Sequence, residues 1–136
     1  MERNDFNSML REDQNYLAEM ATLGPKDHKL GIDIKIHIYQ PGRAERLSHG
    51  PRVKCFKPNT SSDFSITLNV DPNKMYLVGS YDKILSTKDF NKLFGLIKKY
   101  RIPLLNMWWD AYMTSSELRG EMDEIDLGVE VEQKGY

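Results

Sequence analysis

The stretch Ile32-Asp-Ile-Lys-Ile-His-Ile-Tyr39 decides how the rest of this 136-residue chain is interpreted. Its four isoleucines alternate with polar or aromatic residues, and a period of two is typical of a β-strand with one buried face. The same alternation directs His37 away from the isoleucine face. We therefore interpret His37 as a solvated sheet residue rather than as a ligand or a base.

Three further strands are expected to follow the first one. Residues 52–57, 64–70 and 75–81 are apolar or alternating, and the turns between them are rich in Pro, Gly, Asn and Ser. The short connections predict an antiparallel meander of four strands over residues 32–81. The only cysteine, Cys55, falls at an inward position, where we expect a small buried hydrophobe. A lone cysteine excludes a disulfide framework and a cysteine-based metal site.

Three amphipathic helices are predicted around this sheet. Residues 4–22 carry apolar side chains at three-four spacing, and Gly24-Pro25 is a conventional stop signal. Beyond residue 85 the same spacing returns, and it predicts helices at about 88–100 and 103–113, the second opening on Pro103.

The last of these helices carries an apolar stripe that contains a tryptophan. Leu104, Leu105, Trp108 and Tyr112 share the stripe, whereas Trp109 is displaced by one position. We expect one tryptophan in the core and the other at an edge or interface.

The predicted fold class is α+β: a four-stranded antiparallel meander packed against an N-terminal helix and two C-terminal helices. Residues 1–115 are expected to form one domain, a size that is sufficient for a hydrophobic core. Residues 116–136 are expected to be an acidic tail, irregular or partly helical. A mobile end is favoured there over a short edge strand at 129–132.

The charges are unevenly distributed, although the formal net charge is only −1. Residues 26–57 hold eight Lys or Arg, three acids and all three histidines, whereas residues 116–136 hold seven acids and two bases. The asymmetry indicates a basic face for a partner, or a tail that shields this face. The candidate partner-binding residues are Lys35, Tyr39, Arg43, Arg46, His49, Arg52 and Lys54. The candidate acidic residues of the tail are Glu121, Asp123, Glu124 and Asp126.

Four short motifs occur in a recognisable order over residues 32–113. They are Ile34-Lys-Ile-His-Ile-Tyr39, His49-Gly-Pro-Arg-Val-Lys54, Ser86-Thr-Lys-Asp-Phe90 and Leu104-Leu-Asn-Met-Trp-Trp-Asp-Ala-Tyr112. In this order the sequence resembles a family of small bacterial domains of unknown function. Members of that family are often encoded beside a second small protein, as in toxin–antitoxin pairs.

The resemblance implies strands followed by two helices, and it departs from the family at one important place. Arg52 and Lys54 stand where the family usually has histidines, so a metal-binding or general-base role does not transfer to this chain. The motif His49-Gly-Pro-Arg-Val-Lys54 is also similar to small proteins encoded by bacteriophages.

Catalysis is the least favoured of three function classes. His37 and His49 flank one loop, and a nuclease would place them with Arg52 and Lys54 around a phosphate. The sequence supplies no third residue that would complete a catalytic group with these histidines. It also contains no Gly-rich phosphate loop and no pair of carboxylates at the spacing of a known catalytic motif. We therefore expect no enzyme activity, cofactor or metal.

Nucleic-acid binding is the second class. Cations alternate outward beside aromatic rings, as in proteins that bind single strands. These residues are Lys35, Arg52, Lys54 and Lys57, with Tyr39 and Phe56. Against this class, the sequence pI of about 6.3 lies far below that of typical nucleic-acid-binding domains.

The favoured class is a protein-binding module without chemistry. The resemblance to phage proteins implies an inhibitor of a host defence protein such as a nuclease, comparable to an anti-CRISPR protein, with an acidic tail that mimics phosphate charge. An antitoxin-like or homodimeric role stays open. The sequence contains no apolar run of the length that a membrane span needs, and we expect a cytoplasmic protein.

Overall fold

The isoleucine-rich stretch forms part of the central sheet. The computed structural model describes residues 22–38, 50–110 and 112–134, and in this part the chain is α+β with a five-stranded antiparallel sheet. The strands lie in sequence order and are β1 (Thr22–Leu23), β2 (Lys35–Ile38), β3 (Arg52–Phe56), β4 (Asp63–Thr67) and β5 (Leu77–Gly79). The helices are α1 (Pro25–His28), α2 (Thr87–Lys99), α3 (Arg101–Trp109) and α4 (Ser115–Asp126), with a 3-10 turn at Pro72–Lys74.

Alternation along the strands produces one buried face. Ile36 pairs with Cys55 and Ile38 pairs with Val53, and all four side chains are fully buried. Because residues directly opposite one another lie on the same face of a sheet, this row continues into β4. Buried residues of α2, α3 and α4 join the same core. The predicted alternation and the buried position of Cys55 are therefore confirmed.

The sheet has one strand more than predicted. Thr22, assigned to the end of the N-terminal helix, lies in β1, where Thr22 pairs with His37 and Leu23 pairs with Ile36. Pairing satisfies backbone groups along β2 and buries Leu23 against the core. The rest of the helix predicted at 4–22 lies outside the described residues.

Helix α2 follows the predicted apolar stripe with shifted ends, whereas α3 is buried over six consecutive residues, 103–108, rather than along the one predicted stripe. Ser86 begins α2 as its N-cap, since its hydroxyl accepts a hydrogen bond from the Asp89 amide at 3.1 Å. Helix α3 begins at Arg101, which places Pro103 in the first turn, where a missing N–H costs no intrahelical bond. Trp108 is buried and Trp109 is half-buried, as predicted.

Tyr112 does not belong to the α3 stripe, contrary to the prediction. Helix α3 ends at Trp109 because the backbone of Asp110 is extended and its carboxylate accepts a hydrogen bond from the Tyr112 amide at 2.9 Å. This turn leaves Tyr112 87% exposed. A short polar side chain that bonds the backbone two residues later competes with helix continuation.

The region predicted as an acidic tail is helical over most of its length. Thr114 and Glu117 form a capping box at the start of α4, and Leu118 and Met122 enter the hydrophobic core. The expected domain boundary after residue 115 therefore falls inside a packed helix. Residues 129–134 are irregular, and the short edge strand considered there is not formed. Within the described ranges, no helix has the length and apolarity required to cross a membrane.

Candidate binding face of the sheet

One face of the sheet packs on the core, and the opposite face carries the polar residues that alternate with the buried ones. We call the opposite face the polar face. One row crosses all five strands: Thr22, His37, Lys54, Ser65 and Val78. Two shorter rows flank it, and they consist of Lys35, Phe56 and Asp63 on one side and of Arg52, Thr67 and Tyr76 on the other.

Three cations lie on this face because β2 and β3 pair in the observed register. Lys54 is opposite His37, and Arg52 and Lys35 lie in the two flanking rows. Lys54 forms an ion pair with Asp63 at 3.6 Å between Nζ and Oδ2, and both side chains are about half exposed. An exposed pair at this distance contributes little to stability, so Lys54 can exchange Asp63 for an external carboxylate at small cost.

Aromatic rings lie at both ends of the row of cations on β3. Phe56 is half-buried and lies two residues beyond Lys54 on the same face. At the other end Tyr76 is 62% exposed, and it pairs with Thr67, the cross-strand neighbour of Arg52. Arg52, Thr67 and Tyr76 also line a shallow depression of about 260 Å³. The polar face therefore combines cations with exposed aromatic surface.

His37 contributes a hydrogen bond to this face rather than a positive charge. Its Nδ1 lies 3.0 Å from the Thr22 hydroxyl. Burial lowers the pKa of His37, and the neighbouring Lys54 ammonium lowers this pKa further. The ring is more buried than the solvated residue that we predicted, because β1 covers the edge of the sheet beside it.

His28 has a structural role, and its surroundings define its tautomer. The Leu30 amide donates to Nδ1 at 3.2 Å, so Nε2 carries the proton and donates to the Ile34 carbonyl at 2.8 Å. Its side chain is buried with both ring nitrogens bonded to the backbone.

The structure gives the location of three of the seven predicted partner-binding residues, and their role in binding stays a prediction. Lys35, Arg52 and Lys54 lie together on the polar face. Four further residues lie outside the described ranges, and their place in this surface stays a prediction: Tyr39, Arg43, Arg46 and His49. The proposed pairing of His37 with His49 is untested for the same reason.

The four acidic residues predicted to lie in a tail belong to α4, and two of them are engaged within the chain. The Glu121 carboxylate accepts a hydrogen bond from the Asn106 amide at 2.8 Å. The Asp126 carboxylate lies 2.8 Å from the Lys99 ammonium and accepts a hydrogen bond from the Tyr100 hydroxyl. Those two contacts, Lys99 first, lower the pKa of Asp126. The other two residues, Asp123 and Glu124, are exposed.

Two features of the structure were missed by the sequence interpretation. Alternation within the predicted strand 75–81 already places Tyr76 and Val78 on one face, and this signal was overlooked. The buried amide of Asn106 had no sequence signal, since nothing local distinguishes it from an exposed helix residue.

Two observations concern metal-binding and thiol groups among the described residues. In residues 22–38, 50–110 and 112–134 no group of three or more His, Cys, Asp or Glu is arranged to hold a metal ion. Burial raises the pKa of the Cys55 thiol, which keeps it protonated and unreactive at neutral pH. Comparison of the chain with protein-family models, curated proteins and solved structures found no match.

Proposed function

We propose that this chain is a non-catalytic protein-binding module whose polar face contacts an acidic surface of its partner. The observation that carries the proposal is the β2–β3 register, which gathers Lys35, Arg52 and Lys54 beside the rings of Phe56 and Tyr76. Aromatic residues and arginine are enriched at the energetic centres of protein interfaces. Cations beside them favour an acidic partner and accelerate its association.

Charge favours a protein partner over a nucleic acid. The chain has a formal net charge of −1, and residues 116–136 hold seven acids and only two bases. A polyanion would be repelled by α4 and the residues that follow it, whereas a protein with a local acidic patch needs to match only the polar face.

The identity of the partner is proposed from the resemblance to phage-encoded proteins. In this proposal the partner is a host defence protein such as a nuclease, and binding blocks its action. Mimicry of phosphate by the acidic residues of α4 is not part of this proposal, because Glu121 and Asp126 bind groups of the same chain.

The proposal is tested by capture from the native host with and without nuclease treatment. Tagged wild-type chain is compared with Arg52→Glu/Lys54→Glu and with Lys88→Glu/Lys92→Glu, a matched reversal at two exposed residues of α2. We expect one protein to be captured by wild type and by the α2 variant, in a nuclease-resistant manner, and to be lost with the polar-face variant. Equal capture by all three chains would contradict the proposed face.

Binding of single-stranded nucleic acid is the second candidate, favoured by the rings that flank the cations of β3. Base stacking on Tyr76 and phosphate contacts from Arg52 and Lys54 would produce affinity that falls steeply with salt concentration. Fluorescence anisotropy with a labelled oligonucleotide measures this directly. Tight binding at low salt that Tyr76→Ala weakens would replace the protein-binding proposal.

A further inference from the structure

The most completely satisfied polar side chain in α3 belongs to Asn106. Its side chain is fully buried. The Nδ2 amide donates to the Glu121 carboxylate at 2.8 Å and to the Glu132 carbonyl at 3.1 Å, and Oδ1 accepts from the Lys134 amide at 2.8 Å. The buried amide therefore has three partners on two separate parts of the chain, α4 and the residues that follow it.

The two backbone contacts of Asn106 have the geometry of peptide capture. The side-chain amide bonds the carbonyl of residue 132 and the N–H of residue 134, as a neighbouring strand would do. This contact recognises extended backbone without regard to sequence. Glu121 adds a preference for a basic side chain at position 134, because its carboxylate is largely buried and lies 3.6 Å from the Lys134 ammonium.

The captured segment, residues 129–134, is held by these polar contacts more than by packing. Within it only Val131 is half-buried, and the other side chains are exposed. A cavity of about 650 Å³ lies between the segment and the junction of α2 with α3, lined by Lys99, Arg101 and Ile102. The segment begins after Gly128, whose φ of 82° favours glycine. Weakly packed segments of this kind open at lower free energy than the core.

We propose that Asn106 of α3 and Glu121 of α4 form a peptide-binding site, that residues 129–134 fill it within one chain, and that the same segment of a second copy binds there when the resident segment is released. Every contact made in cis is available in trans, because the incoming segment is identical. The resident segment competes with an effective concentration in the millimolar range, so trans binding rises when the cis contact is weakened. The proposal is independent of the polar face.

The test uses the full chain and a fluorescent peptide with the sequence of residues 129–134. Lys134→Glu places a carboxylate against Glu121 and weakens the resident segment without removing it. We expect this variant to bind the peptide on the order of tenfold more tightly than wild type, as measured by anisotropy. Gln133→Glu is the matched control, since residue 133 is exposed, and we expect it to bind as wild type does.

A charge exchange at Glu121 identifies this site as the place of binding. Glu121→Lys in the otherwise wild-type chain places two cations together and also weakens the resident segment. This chain should not bind the wild-type peptide, and it should bind a peptide that carries glutamate at position 134. This exchange avoids Asn106, whose substitution risks the fold. No binding of the wild-type peptide by Lys134→Glu up to about 1 mM would overturn the proposal. Equal binding of the wild-type peptide by the Lys134→Glu chain and the Glu121→Lys chain would overturn it as well.

Discussion

The polar face and the α3–α4 region both carry concentrated charge, but they use it differently. On the polar face, Lys54 has one long, exposed ion pair with Asp63. In the α3–α4 region, Glu121 and Asp126 accept hydrogen bonds from buried or half-buried groups of the same chain. A cluster of charges in sequence therefore does not identify a binding surface. The distinction depends on whether the folded chain already supplies the partners of those charges.

The largest effect is expected where the supposed tail enters the core. Leu118→Ala removes a fully buried side chain and should lower the free energy of unfolding by about 3 kcal/mol. Leu127→Ala is the matched control, because Leu127 is 82% exposed, and it should change that free energy by less than about 0.5 kcal/mol. Urea unfolding measures both. Equal small changes would show that α4 does not belong to the core.

A smaller loss is expected at the buried amide. Asn106→Ala leaves the Glu121 carboxylate and the backbone of residues 132 and 134 without their partner, which should cost about 1–3 kcal/mol in the free energy of unfolding. Asn91→Ala, at an exposed position of α2, should be nearly neutral. If both substitutions cost the same, the Asn106 network does not stabilise the chain.

The N-cap of α4 should contribute less again. Thr114→Ala removes the hydroxyl that accepts the Glu117 amide hydrogen bond at 3.1 Å and should cost about 1 kcal/mol of unfolding free energy. Thr114→Ser retains the hydroxyl and should preserve most of the stability. A loss of equal size in both variants would assign the effect to the threonine methyl group.

The polar face should add a small pH dependence through His37. Its pKa in the folded state lies below 6.5, so the unfolded state binds the proton more tightly. The stability that the neutral His37 ring contributes is fully present above pH 6.5. It is lost as the pH falls through the pKa of His37 in the folded state. His37→Gln should therefore lose less stability between pH 7.5 and pH 5 than wild type does.

NMR titration should also show that Lys54→Met raises the pKa of His37. An unchanged pKa would remove Lys54 as a cause of the shift.

The periodic parts of the fold were predictable because burial imposes a period on the sequence. The isoleucines at 32–38 defined the face of β2, and the stripe of Phe90, Leu93 and Ile97 defined the buried side of α2. Strand β1 was missed because its two residues are too short to show a period. Helix α4 was obscured because Leu118 and Met122 are surrounded by acids, which dominate the composition of residues 116–126.

The candidate site was predictable only in part, because alternation along a strand determines which face of the sheet a side chain lies on and nothing more. Alternation placed Lys35, Arg52 and Lys54 outward, and the observed register brings them together. The role of Asn106 depends on residues 121, 132 and 134, which approach it only after α4 has packed. Contacts between distant parts of the chain have no local signature, and here they decide which charges are engaged.

Titration of the captured partner distinguishes a partner that binds the polar face from one that binds α4. Two double charge reversals of equal size, Arg52→Glu/Lys54→Glu and Asp123→Lys/Glu124→Lys, are compared with wild type by calorimetry. Binding at the polar face predicts a loss of affinity on the order of 100-fold for the first variant and less than about threefold for the second. The opposite pattern, with affinity lost only when Asp123 and Glu124 are reversed, would contradict it.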